Sequence, residues 1–256
     1  MNVMLVGAQG SGKGTQAQLL EEQLGLKPCA SGELLREAIK RDTPLGREAK
    51  PYYDRGELVP DDVVARLVLE RLSEVKGAAG IVLDGFPRTI PQAEILDHML
   101  AQVGQQIDIV LYLDVPRDNL LDRLSGRYLC RAHDHVWNIR THPTRVPGIC
   151  DYDGSELYQR SDDTGEAITR RLDVFFTETI QLLGYYDAQH KLAHIDGRQS
   201  IEDVHRQIME NLQRLSRENL PDSRWRRFWS QISNVLPSSH KAPTSSVAWD
   251  EGTRDN

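Results

Sequence analysis

Two hydrophobic rhythms alternate along the chain. Short unbroken apolar runs mark strands buried on both faces, and apolar residues recurring every three or four positions mark helices with one inward stripe. Residues 1–6, 26–30, 80–83, 107–115 and 194–196 read as strands. Helices are expected over 16–24, 32–41, 91–103, 117–125, 164–183 and 201–215. Leu34, Leu35, Ala38 and Ile39 line one face of the second of these, and Ser31 is placed to cap it. Pro44 and Gly46 are expected to break that helix, with short helices before an acidic-first helix opened by Asp61 and Asp62. That helix should bury Val64, Leu67, Val68 and Leu72. Strands alternating with helices predict an α/β fold, a doubly wound parallel sheet flanked by helices.

Two stretches break the rhythm. Between 127 and about 160, runs such as His135-Val136-Trp137-Asn138-Ile139 are separated by Pro143, Pro147, Gly148 and Gly154, which predicts a small inserted β subdomain with too little apolar mass for its own core. Beyond 215, Trp225, Phe228, Trp229 and Ile232 share one helical face beside Arg224, Arg226 and Arg227. Packing on the protein's own surface is the first expectation for that stripe, with a partner or a membrane surface as alternatives. Residues 237–256 are Ser-, Pro- and charge-rich and are expected to be disordered.

Composition narrows the class. With 256 residues, 39% of them hydrophobic, the chain can bury a large core. No apolar stretch approaches the roughly 20 residues that span a bilayer, and the amino end lacks a secretory pattern. A net charge of -7 argues against generic nucleic-acid binding. Three cysteines, an odd number, argue against a disulfide framework and for a reducing cytoplasm, with Cys29 a small buried residue.

The candidate chemistry starts in the first loop, Gly7-Ala8-Gln9-Gly10-Ser11-Gly12-Lys13-Gly14-Thr15, between the first strand and the first helix. Its glycines let successive N–H groups face one small volume, and the following helix aims its positive dipole end there. That is a phosphate cradle, and Lys13 adds a charge suited to the outer phosphates of a nucleoside triphosphate. A glycine-rich turn without ligand is the bland alternative. One departure from the usual pattern is Gly14 where Ser or Thr commonly follows the lysine, the hydroxyl arriving at Thr15. A second candidate is Asp84-Gly85, at the end of a buried strand, where parallel α/β proteins place functional groups. In the insertion, Cys130-x-x-His133 and Cys150-x-x-Asp153 present two ligand pairs at zinc-site spacing, against the alternative of a polar cluster without an ion. His135 and His142 have no paired spacing and read as surface residues.

These motifs together resemble the adenylate kinases. The loop from Gly7 to Gln16, Ser31-Gly32 with Arg36, Asp84-Gly85-Phe86-Pro87-Arg88 with Gln92, and Arg160-Ser161-Asp162-Asp163 stand at compatible spacing over about 1–212. Gly14 is normal for that family and favours it over other phosphate-loop proteins. The resemblance implies a P-loop kinase core at 1–126 and 165–215, an AMP-binding segment at 30–59, a zinc-type lid at 127–164 and an extension at 216–256. It implies reversible transfer of the terminal phosphoryl group of ATP to AMP, giving two ADP with Mg²⁺, by a monomer.

By that resemblance, the ATP side is Gly10, Ser11, Gly12, Lys13, Gly14, Thr15, Arg123, Arg127, Val136, Trp137 and Gln199. The AMP side is Ser31, Arg36, Glu57, Leu58, Val59, Gly85, Phe86, Pro87, Arg88, Gln92, Arg160 and Arg171. Lys13, Asp84, Arg88, Arg123, Arg160 and Arg171 are implied as the catalytic set, Asp84 as the acidic partner of Mg²⁺. Guanidinium groups suit the task because each forks two donors onto phosphate oxygens and stays charged. The lid metal would be held by Cys130, His133, Cys150 and Asp153, with His133 standing where a cysteine is usual. Another nucleoside monophosphate kinase, a GTP-using relative, and a non-catalytic nucleotide-binding protein acting through the aromatic tail remain as rivals.

Overall fold

The computed structural model describes residues 1–55, 59–74, 80–132, 135–159 and 165–218. Five strands, β1 (Asn2–Val6), β2 (Lys27–Ala30), β3 (Ile81–Asp84), β4 (Ile109–Asp114) and, late in the chain, Leu192–Asp196, form one parallel sheet. Its order is β2-β3-β1-β4 with the Leu192–Asp196 strand outermost. Helices cover both faces, which is why the strands are continuously apolar rather than alternating. In β1, Val3 and Leu5 enter the core under one face while Met4 and Val6 enter the core under the other.

Helix α1 (Lys13–Leu24) begins directly after Gly12, whose φ of 100° only glycine holds comfortably, and ends at Gly25. Next come α2 (Ser31–Lys40), α3 (Pro44–Arg55), α4 (Asp61–Glu74) and α5 (Ile90–Gln102), the last capped by the Thr89 hydroxyl, followed by α6 (Arg117–Ser125). Then a second, antiparallel sheet holds β5 (Arg127–Cys130) between β6 (Val136–Asn138) and β7 (Leu157–Tyr158). Helix α7 (Gly165–Val174) passes through a π turn at Phe175–Thr179 into α8 (Gln181–Asp187), after which come β8 (Leu192–Asp196) and α9 (Ile201–Glu218).

Several local expectations change. Ser31 does not cap α2: the helix starts at Ser31 itself, and its hydroxyl instead donates to the Gly85 carbonyl across the sheet edge at 3.2 Å. Helix α2 does end at Lys40, ahead of Pro44 and Gly46 as expected, and Pro44 goes on to open α3, where its missing N–H costs nothing. Gly46 is needed for close approach, because a Cβ there would lie 2.0 Å from the Ala38 carbonyl oxygen. Val64 is only half-buried, and Val63 and Ala65 take the inward positions. The single helix expected over 164–183 is interrupted, with Ile180 N–H reaching back to the Phe175 carbonyl at 2.9 Å. Residues 219–256, which carry the aromatic stripe and the expected disordered tail, lie outside the described residues.

Candidate functional site

Parallel strands end on one side, so the loops after β1, β3 and β8 meet at a single edge of the sheet. They enclose a cavity of about 1020 Å³, which α2, the second sheet and the α7–π-turn segment complete. Of the residues expected at the site, Gly10 to Thr15, Ser31, Arg36, Asp84, Gly85, Pro87, Arg88, Arg123, Arg127, Val136, Trp137, Arg171 and Gln199 all line this one space.

Lys13 sits at its centre. Its side chain is 12% exposed, and Nζ donates to the carbonyls of Gly7 at 2.8 Å and Ala8 at 3.1 Å, with Asp84 Oδ1 at 3.8 Å. Burial pushes its pKa down; Asp84 opposes this, while Arg88, Arg127 and Arg171 add to it. Burial therefore makes the charged ammonium costly, a cost that a polyphosphate would relieve. Arg123 on α6 donates to the Gly10 carbonyl at 3.4 Å and to the Gly197 carbonyl at 2.8 Å, spanning the cradle and the β8 loop, and burial lowers its pKa too.

Arg88 is fixed from two directions. Its Nε donates to the Gly85 carbonyl at 2.8 Å, and its backbone N–H donates to Gln92 Oε1 at 2.6 Å. Gln92 Nε2 in turn donates to Asp61 Oδ1 at 2.7 Å. Gln92 therefore stands behind the cavity wall as a brace. Arg36, exposed on α2, has no hydrogen-bond partner among the described residues.

Phe86 is 4% exposed and belongs to the core, and Val59 is half-buried against it, so neither side chain lines the cavity. Glu57, Leu58 and Arg160 lie outside the described residues. Further wall residues are Asn138, His142, Arg170, Phe175 and Thr179. Nothing local in the sequence marks these, because helix interruption and ring stacking bring them there. Trp137 is 4% exposed and stacks on His142, centroids 5.1 Å apart and planes 7° from parallel.

A family model described as adenylate kinase matches residues 5–191. An adenylate kinase of Carboxydothermus hydrogenoformans is 46% identical over 214 residues, 84% of this chain and all of that protein. Those of Bacillus velezensis and Bacillus subtilis are 42% and 43% identical, covering 85% and 83% of this chain and 100% and 98% of theirs.

The chain belongs to the adenylate kinase family. Adenylate kinases bind ATP and AMP and use Mg²⁺ with ATP, and an oxygen donor facing the cavity, as Asp84 does, suits that hard cation. No helix among the described residues is long and apolar enough to cross a membrane.

This adenylate kinase also carries a tight polar cluster in its second sheet. Cys130 Sγ and Cys150 Sγ each lie 3.4 Å from His135 Nδ1, and Asp153 Oδ2 lies 3.2 Å from both Cys130 Sγ and His135 Nδ1. One ligand atom from each of the four falls within 4.8 Å of the others. The reading of His135 as a surface residue is corrected here: β6 pairs with β5, and this folds the His135 ring back over Cys130. His133, the expected ligand, lies outside the described residues.

Proposed function

We infer that the cavity carries out the reaction that defines adenylate kinases: reversible transfer of the terminal phosphoryl group of ATP to AMP, giving two ADP. An AMP phosphate oxygen attacks the γ-phosphorus, and the β,γ-bridging oxygen leaves with the first ADP. Little covalent chemistry is asked of the protein, so positioning and charge neutralisation carry the rate. The single observation that carries the reading is the convergence of Lys13, Asp84, Arg88, Arg123, Arg127 and Arg171 on one cavity.

In this reading Gly10 to Thr15 with Lys13 hold the donor phosphates, and Arg36 and Arg88 hold the AMP phosphate opposite. Arg123, Arg127, Arg171 and Arg160 gather round the transferring group. Asp84 would hold Mg²⁺ through water, and the ion, when bound, neutralises charge on the β- and γ-phosphates. Ser31, Gly85, Pro87 and the 57–59 backbone border AMP, with Gln92 bracing Arg88. Val136, Trp137 and Gln199 border the donor nucleoside. A coupled assay with ATP, AMP and Mg²⁺ tests this, and ADP formation no faster than with Lys13→Ala would overturn it. Rates across AMP, CMP, UMP and GMP, then across donors, decide nucleotide specificity.

We further propose that Cys130, His135, Cys150 and Asp153 hold a structural Zn²⁺. With Zn–S about 2.3 Å and Zn–N or Zn–O about 2.0–2.2 Å, the edges of a tetrahedron run about 3.3–3.8 Å. The observed 3.2–3.4 Å separations suit it. All four positions would be protein ligands, leaving none for water, so the role is to staple a small sheet around little more than Trp137 and Leu157. Cys29, Cys130 and Cys150 are not joined in disulfides, which supports a cytoplasmic setting. The enzyme is read as a monomer, because one chain supplies every wall of the cavity. The aromatic stripe beyond 219 is read as docking on the enzyme's own surface; loss of thermal stability on truncation after 218 is the expected sign.

A further inference from the structure

Gln16 is the first residue after the phosphate-cradling loop, and its side chain turns away from the cradle. It is 2% exposed, and its Nε2 donates to the Ile201 carbonyl, in the first turn of α9, at 3.0 Å. A backbone carbonyl can only accept, so this bond fixes which end of the amide faces it and leaves Oε1 pointing the other way. There it meets Nδ1 of His205, 8% exposed, at 2.9 Å. Two acceptors cannot face one another at that distance, so His205 Nδ1 carries the proton. The far nitrogen, Nε2, lies 3.0 Å from Gln23 Oε1. In a neutral Nδ1–H ring Nε2 only accepts, so the Gln23 amide turns its NH₂ end to it, the oxygen and nitrogen of an amide being interchangeable by a flip. Burial pushes the His205 pKa below the usual imidazole value, which keeps the ring neutral.

The chain of contacts therefore runs from α9 through His205 to Gln16 and back to Ile201. Its two ends matter: Gln16, Gln199, Ser200 and Ile201 all border the nucleotide cavity. We propose that Gln16, with its amide held by the Nδ1–H of His205, is a positioning residue that ties the phosphate cradle to the Gln199–Ile201 wall and so sets how the donor nucleotide is seated. The proposal rests on the reading of the Lys13 side as the donor side. Its reach is asymmetric, because the acceptor side hangs on α2 and the Gly85–Arg88 loop, which this bridge does not touch.

Gln16→Met keeps the length of the side chain and removes both hydrogen bonds. The expected result is a KM for ATP raised about tenfold, with kcat changed by less than about threefold and the KM for AMP unchanged. Asparagine places its NH₂ where histidine places Nδ1–H, so His205→Asn should keep the wild-type KM for ATP, while His205→Phe should raise it as Gln16→Met does. In ¹⁵N-detected NMR of the full chain, His205 should show the neutral Nδ1–H tautomer. A lowered melting temperature with both KM values unchanged would make Gln16 merely structural and overturn the proposal. So would His205→Asn behaving like His205→Phe, or an Nε2–H tautomer. A rise in the KM for AMP instead of ATP would overturn the assignment of the two sides, a separate failure.

Discussion

Asp84 Oδ1, at the end of β3, lies 3.8 Å from Nζ of Lys13, the first residue of α1, because β1, whose Leu5 pairs with Asp84, leads through the glycine loop into that helix. The separation is too long for a hydrogen bond, and the ammonium spends its donors on the Gly7 and Ala8 carbonyls instead. Both groups are thus held ready for a polyphosphate and its cation rather than for each other.

Lys13 gives a pH dependence of definite sign. Burial holds its pKa below the ordinary 10.5, so the buried ammonium loses its proton at a pH where a free lysine would keep it. ATP affinity should fall as pH rises through that depressed value, whereas the stability of the nucleotide-free fold should rise there, because the unfolded chain binds the extra proton. KM for ATP measured from pH 7 to 10 checks this. Lys13→Arg, however slow, should lack the alkaline limb; a limb persisting in it would assign the titration elsewhere.

Gln92 touches no part of the cavity yet holds Arg88 by its backbone and is itself held by Asp61. Gln92→Leu should raise the KM for AMP about 2- to 10-fold, the cost of losing the hydrogen bonds that position the partly exposed Arg88 loop, and leave the KM for ATP alone. Equal effects on both substrates would show a general loss of structure.

Metal content is directly measurable. Purified enzyme should carry one zinc per chain, and chelation should lower the melting temperature without unfolding the parallel-sheet core. His135→Ala and Cys150→Ser should lose the metal, and His133→Ala should keep it. Loss on His133→Ala with retention in His135→Ala would return the ligand role to His133.

Gly46→Ala tests the α2–α3 contact. Its added Cβ would meet the Ala38 carbonyl oxygen at 2.0 Å, backbone against backbone, so the helices must part. A destabilisation of about 2 kcal/mol, or about 4–8 °C in melting temperature, is expected by calorimetry.

Read alone, the sequence determined the alternation of strands and helices, the parallel sheet and the family. Each of these rests on contiguous signals: an apolar run such as Val3 to Val6, a glycine loop ending in Lys13, an Asp84-Gly85 strand end. Such signals survive in one dimension because neighbouring residues share one local conformation.

Only the tertiary structure decided the rest. That Ser31 binds Gly85 rather than its own helix, that Pro44 starts a helix, and that His135 turns onto Cys130 all depend on partners brought from elsewhere. Gln16 and His205 are 189 positions apart and meet because α1 and α9 pack on the same sheet face. Periodicity marks which side of a helix is buried. It does not say which buried polar atom will answer another, since that choice is made by hydrogen-bond geometry once the layers have closed.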